Sequence, residues 1–434
     1  MLGKLKNKKT AVLAASCLLA AVFVVILAVR LLSVPPPAQM PPDQTPPEQA
    51  ASTGQGEGPH SIKLPLHEPL PAPPTGPPIG PDGQPFEETL TPGFAEHVLQ
   101  ADFALTQTMQ RLGLPYANLR LVGEDLRDEQ NIFYRHKVIE IHAGPDLPLF
   151  INTLRDALLA WAENAVLLQQ GPFDERHSGG EWVISLDGLV THNLRIRGGS
   201  GEDVGGEPPG WHRPRLAIVV DDIGESVRHA RFLLNLDYPV TFALWPHGTH
   251  ARKIAPLVKA AKLDVLIHQP MEPMGYPGVN PGPGVLLTGM SEIQTLSQLD
   301  KNLRLIPEAI GLNNHMGSRL TQDGQRMALV ARALKNRNML VLDSLTHPKS
   351  RFAAAALSEG AVVYRRDVFI DVEQDKDYVL RQLKKAEKIA MLNGQAIAIG
   401  HPLPATLEAL KAWEKERDPR VQLVRLSDLA PLKK

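Results

Sequence analysis

Cysteine is almost missing from this chain. The 434 residues include one, Cys17, which excludes an intrachain disulfide and any thiolate metal knuckle. Aromatic side chains are sparse, at 5%. A surplus of one charge is missing too: 46 Lys and Arg face 47 Asp and Glu, for a net charge of −1. That balance gives no global pull toward nucleic acid. Any metal must therefore be held by His, Asp or Glu. What is present is ordinary for a chain that buries a core, with 43% hydrophobic and 21% charged residues, and it excludes a wholly disordered or fibrous protein. At about 150 residues per domain, the length allows two or three domains.

The first residues read as an anchor and an address. Lys4, Lys6, Lys8 and Lys9 precede Ala11–Val29, which carries no charge, and Leu31 and Leu32 follow Arg30. At a rise of about 1.5 Å per residue, such a run covers roughly the 30 Å hydrocarbon core of a bilayer. Pro35-Pro36-Pro37 follows it rather than a small-residue cleavage site, so the run reads as an uncleaved span. Residues 1–33 are expected to be a cytoplasmic stub and transmembrane anchor, with 11–33 in the inner membrane. The leading lysines place everything downstream on the extracytoplasmic, periplasmic side. Between residues 35 and 92 lie 18 of the 39 prolines. Residues 34–94 therefore read as a Pro/Gly-rich disordered linker, too polar to offset its own ordering entropy.

Residues 95–198 change character. Val98, Phe103, Leu105, Met109 and Leu112 have helical spacing, Asn118–Val122 and Phe133–His142 alternate as strands, and Leu147–Ala162 reads as a helix. Glu181–Leu186 and His192–Ile196 alternate again. The order α-β-β-α-β-β predicts a small α+β module. No catalytic constellation is visible in it. Residues 199–214 are a Gly/Pro-rich joint.

Residues 215–434 repeat short apolar runs, most of them followed by a helical pattern. The strands expected are Arg215–Val220, Val240–Leu244, Asp264–His268, Gly311–Asn314, Met339–Leu342, Ala361–Tyr364, Gln395–Ile399 and Gln422–Val424. Six or seven β-α units of this length predict an α/β domain whose parallel sheet is closed, or nearly closed, into a barrel. In such folds ligands bind at the carboxyl ends of the strands. The runs end in Asp221-Asp222, His268, Asn313-Asn314-His315, Asp343 and His401, while the sixth leads to Arg365-Arg366-Asp367 and on to Asp371. Buried carboxylates and imidazoles are costly unless paired or bound to metal. Six such ends at one pole therefore predict a functional cluster.

The residue types suggest the chemistry. Asp222, His268 and His315 lie on three different strand ends, which permits a facial carboxylate-imidazole set for a divalent metal with open positions for water and substrate. Asp221 is adjacent and is not expected to point the same way, which leaves it free as a general base toward an attacking water. His401 approaches from the far side of the sheet and is placed to protonate a leaving group. This is the layout of metal-assisted hydrolysis. Arg365 and Arg366 could bind a substrate anion or pair with Asp367 and Asp371; pairing is the expectation.

The segments Val219-Val220-Asp221-Asp222-Ile223-Gly224, His268-Gln-Pro-Met-Glu-Pro, Asn313-Asn-His-Met-Gly-Ser and Ile399-Gly-His401-Pro resemble the divergent polysaccharide deacetylase family. That family is a remote branch of the family four carbohydrate esterases. The resemblance spans roughly residues 212–432. It implies a distorted (β/α)7 barrel with a bound divalent metal, often zinc. It also implies Asp221 as base, Asp222 and His268 as ligands and His401 as general acid. The superfamily's second motif has two His four apart, whereas here Glu272 stands four after His268. The third ligand is therefore assigned to His315, with Glu272 as the alternative. Asp343 and Asp371 compete to orient His401. The implied substrate is an acetylated amino-sugar polysaccharide of the envelope, peptidoglycan-like. The rival reading is a glycan-binding or envelope-scaffold protein that kept the barrel and its metal but lost turnover; the missing His pair, and the absence of the superfamily's third-motif Arg where Asn314–Ser318 stand, favour it. Oligomeric state is left open.

Overall fold

The computed structural model describes residues 93–130, 132–162, 164–174, 179–198 and 213–433. The anchor expected at 1–33, the joint at 199–212 and the linker up to residue 92 lie outside the described residues. No helix among the described residues is long and apolar enough to cross a membrane.

The first described part runs α1 (Phe94–Arg111), β1 (Leu119–Glu129), β2 (Ile132–His142), α2 (Leu147–Trp161), β3 (Ala165–Asp174), β4 (Gly179–Leu186) and β5 (Leu189–Arg197). Three strands follow α2 where two were expected. The strand the pattern missed, β3, lies at the edge of the sheet and breaks alternation with Leu167-Leu168 and Gly171-Pro172. The order is β1-β2-β5-β4-β3, with β2 and β5 parallel and the other neighbours antiparallel. One face of the sheet buries Ile139, Ile141, Trp182, Ile184, Leu194 and Ile196 against α1 and α2.

The second part is β6 (Arg215–Ile223), α3 (Val227–Leu234), β7 (Thr241–Leu244), α4 (Ala251–Ala260), β8 (Val265–Met271), α5 (Glu292–Leu303) and β9 (Gly311–Met316). It continues with α6 (Gly324–Lys335), β10 (Leu340–Asp343), α7 (Phe352–Ser358), β11 (Val363–Arg365), β12 (Val368–Phe369), α8 (Lys376–Asn393), β13 (Gln395–Gly400), α9 (Pro404–Trp413) and β14 (Gln422–Val424). Each expected strand is present, and β12 is an addition too short to leave a periodic signal. Four of these helices start where side chains satisfy free backbone N–H groups. Ser226 accepts from His229 N, Asp323 from Gln325 N and Arg326 N, and Asp375 from Tyr378 N. Ser291 and Gln294 form a reciprocal capping box at α5.

All ladders of this sheet are parallel, in the order β11-β10-β9-β8-β7-β6-β13-β12, with β14 beside the start of β6. The sheet curls, but no ladder joins β11 to β12. Residues 366–367 bridge that seam instead: Arg366 N donates to Asp343 O at 3.0 Å and Asp367 N to Ile397 O at 2.9 Å. The result is a curled parallel half-barrel.

Period-two alternation sorts the strand residues. Leu216, Ile218, Val220, Leu312 and Val341 face the helices. Ala217, Val219, Leu266, Leu340, Leu342, Tyr364, Ile397 and Ile399 fill the interior. Extending the interior series by one step reaches Asp221, His268, Ser344, Arg366 and His401; on β9 the positions opposite Leu312 are Gly311, Asn313 and His315. The polar rim is thus the continuation of the apolar interior.

The two parts share their packing. Leu99 of α1 belongs to the helix-side core of the half-barrel, and Leu392 of α8 belongs to the core of the smaller sheet. The β1–β2 hairpin covers the seam. Arg135 lies 3.4 Å from Asp367 and 3.5 Å from Glu124, and Arg365 donates to Phe133 O at 3.4 Å. Arg351, just before α7, forms a two-pronged pair with Asp128.

Candidate active site

The strand β6 departs from regular geometry where the chemistry begins. Its pairing with β7 slips between Val220 and Ile223, and Asp222 has φ of 54°. A positive φ is uncommon outside glycine, and aspartate is among the few residues that accept it readily. Here it rotates Asp222 toward the interior, on the same side as Asp221. The expectation that the two neighbours point apart is corrected by this bulge. Asp222 Oδ1 lies 3.1 Å from His268 Nε2, and Asp221 Oδ2 lies 3.7 Å from Nδ1 of the same ring.

Asp222, His268 and His315 meet. Asp222 Oδ1, His268 Nε2 and His315 Nδ1 form a triangle with three sides of 3.1 Å. Ligands bonded at about 2.1 Å stand about 3.0 Å apart in an octahedral shell and about 3.4 Å apart in a tetrahedral one. The triangle falls within that interval. All three residues are buried, and their ligating atoms form a group able to hold a metal ion. Asp222 Oδ1 has no well-aimed hydrogen bond despite two nitrogens 3.1 Å away. A cation gives that acceptor the partner that neither ring provides. The residues present therefore fit a divalent ion.

Asn313 organises the second layer. Its Nδ2 donates to Asp221 Oδ1 at 2.9 Å and Oδ2 at 3.0 Å, and to Ser344 Oγ at 3.0 Å. An ionised carboxylate only accepts, so this fixes which way the amide faces. Asn313 Oδ1 is then the acceptor for His268 Nδ1 at 3.0 Å. The ring proton sits on Nδ1, and Nε2 presents its lone pair to the triangle. Sequence reading missed this role, because an amide within Asn313-Asn314-His315 looks like any polar strand end. Its interior position by alternation was the available signal.

The electrostatics separate the two aspartates. Burial pushes the Asp221 carboxyl above the usual range, with His268 and His401 offsetting only part of that rise. Burial acts on Asp222 as well, but His315, His268 and His401 outweigh it and hold its carboxyl well below the usual range. Burial disfavours charge on His268, yet Asp221 and Asp222 overcome it and raise that imidazole. One acid stays a firm anion while its neighbour holds a proton more readily, as a base requires.

His401 approaches the triangle from β13, its Nε2 3.9 Å from Asp222 Oδ2. Its Nδ1 lies 3.2 Å from Asp371 Oδ1. Asp371 Oδ2 also accepts from His401 N at 2.6 Å and Thr406 Oγ1 at 2.8 Å. Asp343, the competing partner, lies elsewhere. It follows Leu342 and so faces away from the interior, where it accepts from Leu345 N, Ser350 Oγ and Ala353 N. It anchors the loop into α7. Glu272, the alternative ligand, is also elsewhere. It accepts from Thr288 Oγ1 at 2.6 Å and lies 3.3 Å from Arg319, pinning two loops.

Against this geometry, the profile of the family described as divergent polysaccharide deacetylase matches residues 218–430. An uncharacterized protein of Haemophilus influenzae (strain ATCC 51907 / DSM 11121 / KW20 / Rd) is 34% identical over 215 residues, 50% of this chain and 76% of that protein. The chain belongs to the divergent polysaccharide deacetylase family. The uncharacterized protein YibQ of Escherichia coli (strain K12) is likewise 34% identical over 215 residues, 50% of this chain and 67% of that protein. A crystal structure of an uncharacterized protein from Agrobacterium tumefaciens C58 aligns at 28% identity with a TM-score of 0.48, covering 51% of this chain and 91% of the other. Within this deacetylase family chain, the matched segment contains every residue of the triangle, Asn313, and the pair His401–Asp371.

Proposed function

We propose that this protein is a metal-dependent hydrolase that removes acetyl groups from an amino-sugar polysaccharide of the cell envelope. The observation that carries the reading is the Asp222–His268–His315 triangle. It has a general-base candidate on one side and an oriented imidazole on the other. Asp222, His268 and His315 would hold a divalent ion, with zinc preferred by its affinity for this donor set. When bound, that ion supplies positive charge that polarises the acetyl carbonyl and eases deprotonation of water.

The chain's own residues do the rest. Asp221, with its raised proton affinity, takes a proton from the attacking water. Asn313 holds that carboxylate in place through two N–H contacts. His401 donates a proton to the departing sugar nitrogen, and Asp371 keeps the ring aimed with Nε2 toward the triangle. The scaffold alternative drew its support from the missing His pair and the missing third-motif Arg. His315 from β9 supplies a third ligand candidate without that pair, and the base candidate Asp221 held by Asn313 and the oriented His401–Asp371 pair support turnover instead.

The uncharged run Ala11–Val29 behind its lysines supports a membrane-anchored form with the catalytic part in the periplasm. A curled sheet bridged at residues 366–367 supports the distorted (β/α)7 reading. The test is direct. Zinc-loaded protein is incubated with acetylated chitin-type and peptidoglycan oligomers, and acetate release is measured. Asp221→Asn should lower kcat at least about 100-fold with the circular dichroism spectrum unchanged. Turnover that survives the substitution overturns the assignment.

A further inference from the structure

The seam carries three buried arginines, and they are not alike. Arg135, Arg365 and Arg366 are 7%, 6% and 7% exposed. Arg135 has carboxylates at hand in Asp367 and Glu124. Arg365 faces away from the interior, stacked 5.7 Å over the Phe133 ring beneath the module's hairpin. Arg366 is two residues past the interior Tyr364 and so faces the site. Its Nε donates to Ser344 O at 2.7 Å and its Nη2 to Leu345 O at 3.0 Å. No carboxylate among the described residues lies within ion-pair distance of it. The expectation that Arg365 and Arg366 pair with Asp367 and Asp371 is corrected for both, since Arg365 too has no carboxylate within ion-pair distance among the described residues and only Arg366 faces the site.

Two chains of contact tie Arg366 to the site. On one side, Ser344 accepts its Nε proton through the carbonyl and receives Asn313 Nδ2 on its Oγ, and Asn313 holds Asp221. On the other, the guanidinium sits 5.4 Å over the Phe369 ring, which meets the His401 ring edge-on at 5.3 Å. Arg366 therefore stands on the rim between the base candidate and the acid candidate. Two carbonyls and an aromatic face fix the plane of the fork, leaving remaining N–H donors for another group. A buried guanidinium without a counter-ion is costly, and the cost is recovered when an anion binds. A planar fork is matched best by a carboxylate, which it can grip at two points.

We infer that Arg366 is a specificity residue that binds a carboxylate carried by the glycan substrate close to the acetyl group being removed. The inference rests on the hydrolase reading proposed above. It assigns the substrate class to acetylated glycans whose sugars bear an acid side group, over neutral homopolymers.

The test uses the zinc-loaded full chain and two acetylated oligomers of equal length. One is neutral, and one carries a carboxylate on the sugar beside the acetylated residue. The wild type should favour the acidic oligomer in kcat/KM by about tenfold or more. Arg366→Gln should collapse that ratio toward one, and Arg366→Lys should restore part of it. Loss of the bonds to Ser344 O and Leu345 O lowers the stability of Arg366→Gln in any case; a merely structural arginine would lower both kcat/KM values together and leave their ratio unchanged. If Arg366→Gln does not fold, the ratio in Arg366→Lys is compared with the wild type. An unchanged ratio in the folded variants overturns the carboxylate site and leaves the hydrolase reading standing. If neither oligomer is turned over, calorimetric binding of each decides. Weaker binding of the acidic oligomer alone in Arg366→Gln keeps the site while the hydrolase reading falls; equal binding overturns the site. Inhibition by free acetate that disappears in Arg366→Gln, with the oligomer ratio unchanged, assigns Arg366 to the product and overturns the inference.

Discussion

Asn313 Nδ2 reaches both carboxylate oxygens of Asp221, at 2.9 and 3.0 Å, while Oδ1 of the same amide lies 3.0 Å from His268 Nδ1. One neutral side chain thus sets the pose of the base candidate and the tautomer of a metal-ligand candidate. Asn313→Ala should weaken zinc binding about 10- to 100-fold, the usual cost of losing an outer-shell partner of a ligating imidazole. Competition with a chelating dye measures it. Zinc affinity equal to wild type would show that His268 needs no such support.

The two carboxylates beyond the triangle should separate by readout. Asp371→Asn should lower kcat about 100-fold, because it disturbs the aim of His401, on top of the stability lost with its bonds from His401 N and Thr406 Oγ1. Asp343→Asn should cost about 1–3 kcal/mol in urea unfolding and spare kcat, because its acceptor oxygens hold the backbone and Ser350 before α7. A reversed pattern would return the orienting role to Asp343.

Much of this site was readable before the structure. The inward series Ala217-Val219-Asp221 and Ile397-Ile399-His401 follows from period two alone, and all six polar strand ends were marked. The bulge was not readable. Nothing in Val-Val-Asp-Asp-Ile indicates that Asp222 adopts a positive φ and joins its neighbour on one side. The choice between Asp343 and Asp371 hinged on a one-residue register, which inverts every side chain of a strand. Arg366 was visible as a cation, but its lack of a carboxylate partner is a fact of three dimensions. β12 and β3 escaped because one is two residues long and the other does not alternate.

Removing the salt link across the seam tests the role of the smaller module. Arg135 is buried between Glu124 and Asp367, and Asp367 Oδ2 also accepts from Ile397 N at 2.9 Å. Arg135→Met should cost about 3 kcal/mol, as expected when one partner of a buried ion pair is lost. Chemical denaturation checks this. A neutral result would mean that the hairpin covers the seam without holding it.

The smaller sheet should make the protein acid-sensitive. Asp102, Lys137 and His192 are fully buried together, with His192 Nε2 3.0 Å from Asp102 Oδ1 and Lys137 also bonded to Asn393 of α8 at 3.1 Å. Burial alone would raise Asp102, but Lys137 and His192 outweigh it and hold its carboxyl at about 2. Burial lowers His192, only partly opposed by Asp102. Both groups bind protons more readily in the unfolded chain, so stability rises with pH across their windows. It should begin to fall as pH drops below about 6.5, the ordinary histidine value, and fall further from about 4 toward 2 as Asp102 protonates. Denaturation midpoints between pH 3 and 8 measure it. A flat profile would contradict the buried cluster.

Asp222 answers to two masters. Its backbone occupies a region that glycine, asparagine and aspartate enter at low cost and that bulkier residues avoid. Its side chain must be a short anion to reach two imidazoles. Glycine and asparagine meet the first demand and fail the second. Glutamate keeps the anion but suffers in the backbone and overshoots by a methylene. Of the twenty amino acids, aspartate alone satisfies both, so at this codon folding and chemistry admit a single shared solution.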